Sequence, residues 1–208
     1  MSRSPLVLAF AAIALLVTAG AAAAQACLGL PTRDGQIAVA GAYGVNDAYN
    51  TVGGQFHIDV TGPASFGFGY SRDTGMDALA GGEEQEAHLF EARGAYEMYL
   101  LEPSICAVAG VWYQDVTGME QIGVPVGFGF GKTLRGESLS TTLYAIPQYV
   151  WLRTMFDDDM LPDDDSSEFL GEAGITLGFL QFYVGGGVAV TTIDDQDPRF
   201  TFRAGLFF

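Results

Sequence analysis

Over most of this chain, large apolar side chains recur at every second residue, and that pattern limits the chain to β-strands. Phe56, Ile58 and Val60 alternate with Gln55, His57 and Asp59. Phe66, Phe68 and Tyr70 alternate with Ser65, Gly67, Gly69 and Ser71. Phe90, Ala92, Tyr96 and Met98 alternate with Glu91, Arg93, Ala95 and Glu97, and Val124, Val126, Phe128 and Phe130 alternate with Pro125, Gly127, Gly129 and Gly131. Successive side chains of a strand point to opposite faces, so a period of two gives each strand one bulky apolar face and one small or polar face. The pattern predicts strands over 36–45, 51–61, 64–72, 86–100, 104–116, 122–132, 139–155, 168–178, 180–192 and 199–208.

The second face decides the environment. In a soluble barrel the bulky face is the core, and the other face, meeting water, carries charges at most positions. Here the second face is largely glycine, serine and glutamine. The chain holds 28 glycines and is 49% hydrophobic, yet only 16% charged. Glycine suits a narrow interior where large side chains approach the backbone. The bulky face therefore points outward into lipid, and the expectation is an all-β, antiparallel up-and-down transmembrane β-barrel of ten strands. Strands of roughly 9–11 residues suffice to cross a bilayer when tilted. Eight strands is the alternative, reached by merging across Gly178-Phe179-Leu180 and losing an early hairpin. A soluble barrel of lipocalin type is the competing fold.

The front of the chain reads as an export signal. Arg3 is followed by an apolar run from Leu6 to Val17 and by small residues ending Ala24-Gln25-Ala26, the order of a secretory leader. The expected organisation is a cleaved leader over 1–26, cut after Ala26 or a few residues earlier, and one barrel domain over 27–208. Only two cysteines are present, Cys27 and Cys106. An even count in an oxidising compartment favours a disulfide. Lipidation of Cys27 is the alternative, although Ala24 stands where such sites usually carry Leu.

With the first strand starting at the periplasm, the outer connections are 46–50, 73–85, 117–121, 156–167 and 193–198, and the longest connections are among them, as in bacterial barrels. Most of the 25 acidic residues fall there too. The last residues, Phe200, Phe202, Ala204, Leu206 and Phe208, alternate and end on an aromatic. This resembles the final strand of small bacterial outer-membrane β-barrel proteins. The resemblance implies an outer-membrane location, recognition by the barrel-assembly machinery, and contact with outer-membrane lipid and lipopolysaccharide. That family has many unrelated roles, so the resemblance implies no particular activity.

Chemistry is sparse in this sequence. A net charge of −16 argues against nucleic-acid binding. Asp157, Asp159, Asp163, Asp165 and Glu168 crowd one outer loop, and hard carboxylate oxygens at that density suit loosely bound Ca²⁺ or Mg²⁺. Leu161 and Pro162 stand where an EF-hand needs a ligand and a glycine, so the loop is not one. Gln55, His57, Asp59, Glu91, Arg93, Glu97, Glu172 and Arg203 are expected inside the barrel, where buried charges must be paired. Arg72, Arg153 and Arg199 are placed at the outer rim, facing either lipopolysaccharide phosphates or loop carboxylates. Only His57 and His88 exist for hydrolytic chemistry; Glu86 shares the lipid-facing side with His88, and no G-x-S-x-G occurs. The sequence therefore points to a non-enzymatic envelope barrel with acidic loops and a structural or surface-interaction role. A narrow passive channel is the alternative, and a lipid-modifying enzyme comes third.

Overall fold

A computed structural model describes residues 24–31, 37–46, 49–60, 63–77, 84–99, 103–116, 118–156, 163–192 and 198–208. It contains one helical turn, α1 (Ala24–Cys27), and ten strands: β1 (Ile37–Val45), β2 (Asn50–Val60), β3 (Ala64–Asp77), β4 (Glu84–Tyr99), β5 (Ser104–Val116), β6 (Met119–Arg135), β7 (Leu139–Phe156), β8 (Asp164–Phe179), β9 (Phe182–Thr191) and β10 (Arg199–Phe207). Each strand pairs antiparallel with its neighbour in sequence, and β1 pairs with β10 to close the barrel. Val39 lies opposite Leu206 and Tyr43 opposite Phe202. The seam ends with the Phe208 amide donating to the Ile37 carbonyl at 2.8 Å and the Ile37 amide donating to the Phe208 carbonyl at 3.3 Å. Closure leaves no free sheet edge, as a wall surrounded by hydrocarbon requires.

The strand count and the orientation of the faces match the sequence pattern. Phe66, Phe68, Phe128 and Phe130 are 44%, 50%, 52% and 40% exposed on the outer surface. Their neighbours on the same strands point into the lumen. Strands β3, β6 and β8 run further toward the long-loop end than expected. Ladder hydrogen bonds do not depend on an apolar face, so hairpin pairing continues past the point where the alternation fades.

Two prolines leave visible marks. Pro125 and Pro147 cannot donate to a ladder. Pairing of β5 with β6 stops after Ala109–Val126 and resumes in the same register at Trp112–Gly123. Pairing of β6 with β7 stops after Gly127–Gln148 and resumes at Phe130–Ala145. The second gap leaves Gly129 beside the segment that enters the barrel.

Candidate functional site

Residues 24–31 fill the lumen at the short-turn end. Ala24, Cys27 and Leu28 are buried against Ala95, Cys106, Val108, Tyr144 and Ile146. Leu30 is buried with Ala38, Ala40, Tyr183 and Phe207. Cys27 is joined to Cys106 of β5 by a disulfide with a Cα–Cα distance of 6.2 Å. The segment is seated on glycines. A Cβ at Gly131 would run into the backbone of Ala26, one at Gly129 into Cys27, and one at Gly178 into Pro31. Gly29 adopts a φ of +73°, and a side chain there would strike Arg203 and Tyr144, so this bend requires glycine. The Gly29 carbonyl accepts hydrogen bonds from Thr176 Oγ1 at 2.7 Å and Arg203 Nη2 at 2.8 Å, and the Leu28 carbonyl accepts from Arg203 Nη1 at 3.4 Å. The barrel is thus plugged from inside by its own N-terminal segment. The expected leader boundary at residue 26 falls within α1, and residues 1–23 lie outside the described residues.

Beyond the plug lies a charged network. Arg93 of β4 contacts Glu91 Oε2 through Nη2 and Glu172 Oε2 of β8 through Nη1, both at 3.0 Å. Tyr144 Oη donates to Glu172 Oε1 at 3.2 Å. The Arg203 guanidinium lies 4.9 Å from the centroid of the Tyr144 ring, within cation–π range. Charged hydrogen bonds to both carboxylates offset the cost of taking Arg93 out of water.

Beside this network is a cavity of about 100 Å³, running from Leu28 of the plug to Gly44, Thr51 and Arg199 near the long-loop end. That volume holds several waters or one small solute. One wall is made of small residues, including Gly53, Gly67, Gly69 and Ser71, with Gln55 and His57 between them. The opposite side of the barrel is filled by Tyr144, Ile146, Gln148 and Val150, all buried.

Of the residues expected inside, Glu91, Arg93 and Glu172 are bonded together, and Arg203 joins them through Tyr144 and the plug. Gln55 and His57 line the same cavity. Asp59 and Glu97 are buried but are not part of its lining. Arg199, expected at the rim, faces the cavity instead, because it shares a face of β10 with Arg203. Tyr144, Thr176 and the plug had no recognisable signal as site residues. Trp112 points inward, its ring lying where a Gly123 side chain would be.

Of the expected cation-binding residues, the three that are described form no metal-sized cluster. Asp157 and Asp159 lie outside the described residues. Asp163 accepts from Arg153 Nη2 at 2.9 Å. Asp165 and Glu168 point to opposite faces of β8. On the outer surface, Tyr70 Oη and His88 Nδ1 are 2.9 Å apart, and Arg72 pairs with Glu86. Both rim arginines thus engage carboxylates of the chain.

No family model and no curated protein matches the chain. Among solved structures it is similar to LpxR from Salmonella typhimurium, with 9% identity, a TM-score of 0.46, and coverage of 83% of this chain and 100% of that one. The expectation that this barrel is not an enzyme is not upheld. At this identity the likeness concerns the fold and transfers no activity. The chain is a closed ten-stranded antiparallel barrel with large apolar side chains on its outer surface.

Proposed function

We propose that this protein is an outer-membrane barrel closed to passive flow, which binds at the face carrying its long loops. The observation behind this reading is the plug. Residues 24–31 occupy the lumen at the short-turn end, are covalently tied to β5, and form the floor of a cavity that extends only toward the long-loop end. A passive channel needs a continuous water path, and the seated segment interrupts it. With the short-turn end at the periplasm, the acidic loops and the cavity face the exterior, where lipopolysaccharide and solutes are met.

Single-channel recording in planar bilayers tests this reading. The wild-type barrel is expected to be silent. A Cys27→Ser/Cys106→Ser variant is expected to show intermittent steps, because the segment is no longer tethered. A steady open level in the wild type would overturn the reading.

One observation favours a second reading, hydrolysis of a lipid ester. His88, hydrogen-bonded to Tyr70, stands on the outward face just beyond the apolar band. A histidine fixed through one ring nitrogen can act as a general base through the other. Acyl release from outer-membrane lipid by the wild type, abolished in a folded His88→Ala variant, would support this reading. Equal lipid profiles in both would remove it.

A further inference from the structure

We propose that the cavity above the plug is a binding site for one small anion bearing a carboxylate or a phosphate group. The proposal deepens the reading of the lumen as a pocket closed from below, and it rests on that reading.

The charge balance of the lining is the first argument. Arg93, Arg199 and Arg203 line the cavity against Glu91 and Glu172, a local excess of cation in a chain whose net charge is −16. Both glutamates are already used. They clamp Arg93 from two sides, and Tyr144 donates to Glu172. Among the described residues, neither Arg199 nor Arg203 has a carboxylate within ion-pair distance. Arg203 is held by neutral acceptors only, the Leu28 and Gly29 carbonyls and Thr176. Asp73 is buried outside the lining and interacts with Arg199 electrostatically, at longer range than an ion pair. Three guanidinium groups thus face two glutamates across the lining, an excess of one positive charge that an anion would balance.

Unmet hydrogen-bonding capacity in the same place is the second argument. His57 is half-buried with its ring over Gly67, and among the described residues neither of its enclosed ring nitrogens has a partner. An anion beside it would accept from its N–H. Preorganisation is the third argument. The plug holds Arg203, and the two glutamates hold Arg93, so little side-chain freedom is lost on binding. The glycine wall leaves the space open, and about 100 Å³ admits a carboxylate or phosphate group with a few waters, not a long chain.

Calorimetric titration of the intact, detergent-solubilised barrel with sodium acetate and sodium phosphate, at constant ionic strength, tests the proposal. Saturable binding of at least one anion is expected. It should weaken about tenfold or more in Arg199→Gln, the loss of one charge-assisted contact. Among the described residues Arg199 forms no ion pair with Glu91 or Glu172, so that variant should keep its heat-modifiable gel mobility and its silence in bilayers. His57→Phe should weaken binding as well. Binding of acetate alone identifies a carboxylate ligand, and binding of phosphate alone a phosphoryl ligand. Absence of saturable heat with both anions, or equal heats for wild type and Arg199→Gln, overturns the proposal. A silent barrel that binds neither anion removes the anion site and leaves the plugged barrel standing; a conducting wild type removes the plugged barrel itself.

Discussion

Inside this barrel, large side chains lie flat against glycines of nearby strands. The ring of Trp112 covers Gly123, Tyr144 covers Gly174 and Gly187, and Tyr183 covers Gly205. This pairing lets a ten-stranded wall hold aromatic rings without being forced apart. Gly123→Val is therefore expected to cost about 1–3 kcal/mol, the usual penalty for overpacking. Gly41→Ala should be neutral, since nothing lies within 4 Å of the added methyl. Urea unfolding from lipid vesicles would compare the two. Arg93→Met leaves Glu91 and Glu172 without a counter-ion and should cost about 2–3 kcal/mol in the same assay. Leu180, at the tip of the β8–β9 turn, is the one described non-glycine residue with positive φ, +46°. Leu180→Gly should raise stability by about 1 kcal/mol, because the left-handed conformation costs a branched side chain about that much.

At the scale of elements, the plug behaves unlike the strands. Its sequence, Ala24 to Pro31, has no period of two, and its small residues read equally well as the tail of a leader. Nothing in that run announces a lumen ligand, because its partners are glycines and one arginine scattered along the rest of the chain. Cys27 and Cys106 were readable as a pair from their count alone, but not as the fastening of a plug. The strands were legible because each repeats a two-residue rule five or more times, and an error at one end leaves the rest intact. The inward side chain of Trp112 follows from its position in the β5 alternation, which it shares with Cys106 and Val108. Replacing both cysteines by serine removes a crosslink spanning 79 residues and should lower stability by about 3–5 kcal/mol on the chain-entropy account. Comparing thermal unfolding of the purified barrel with and without the crosslink measures this. If α1 belongs to the functional protein, N-terminal sequencing of the membrane-extracted chain will begin at or before Ala24.

For the whole molecule, closure is the property that matters most. The seam between β1 and β10 ends with Phe207 turned inward against Tyr183, their ring centroids 4.9 Å apart, while Phe208 faces out. Phe207→Ala should cost about 3–4 kcal/mol as a buried aromatic truncation. The measurement is the temperature at which the compact gel form converts to the slower, unfolded one. Ten strands, their faces and their order were all present in the alternation. The division of the interior into a packed side, an open glycine side and a floor was not, because it depends on which residues meet across the barrel. Sequence order places Arg93 and Glu172 far apart, and only the closed wall brings them to 3.0 Å.

The N-terminal segment draws its contacts from widely separated staves of the barrel: Cys106 on the fifth strand, Thr176 on the eighth, Arg203 on the last. A half-built cylinder offers no such set of partners. The stopper therefore fits only a finished vessel, and the sulfur–sulfur bond records that assembly is complete. A segment that precedes every strand in the chain is thus among the last to find its place.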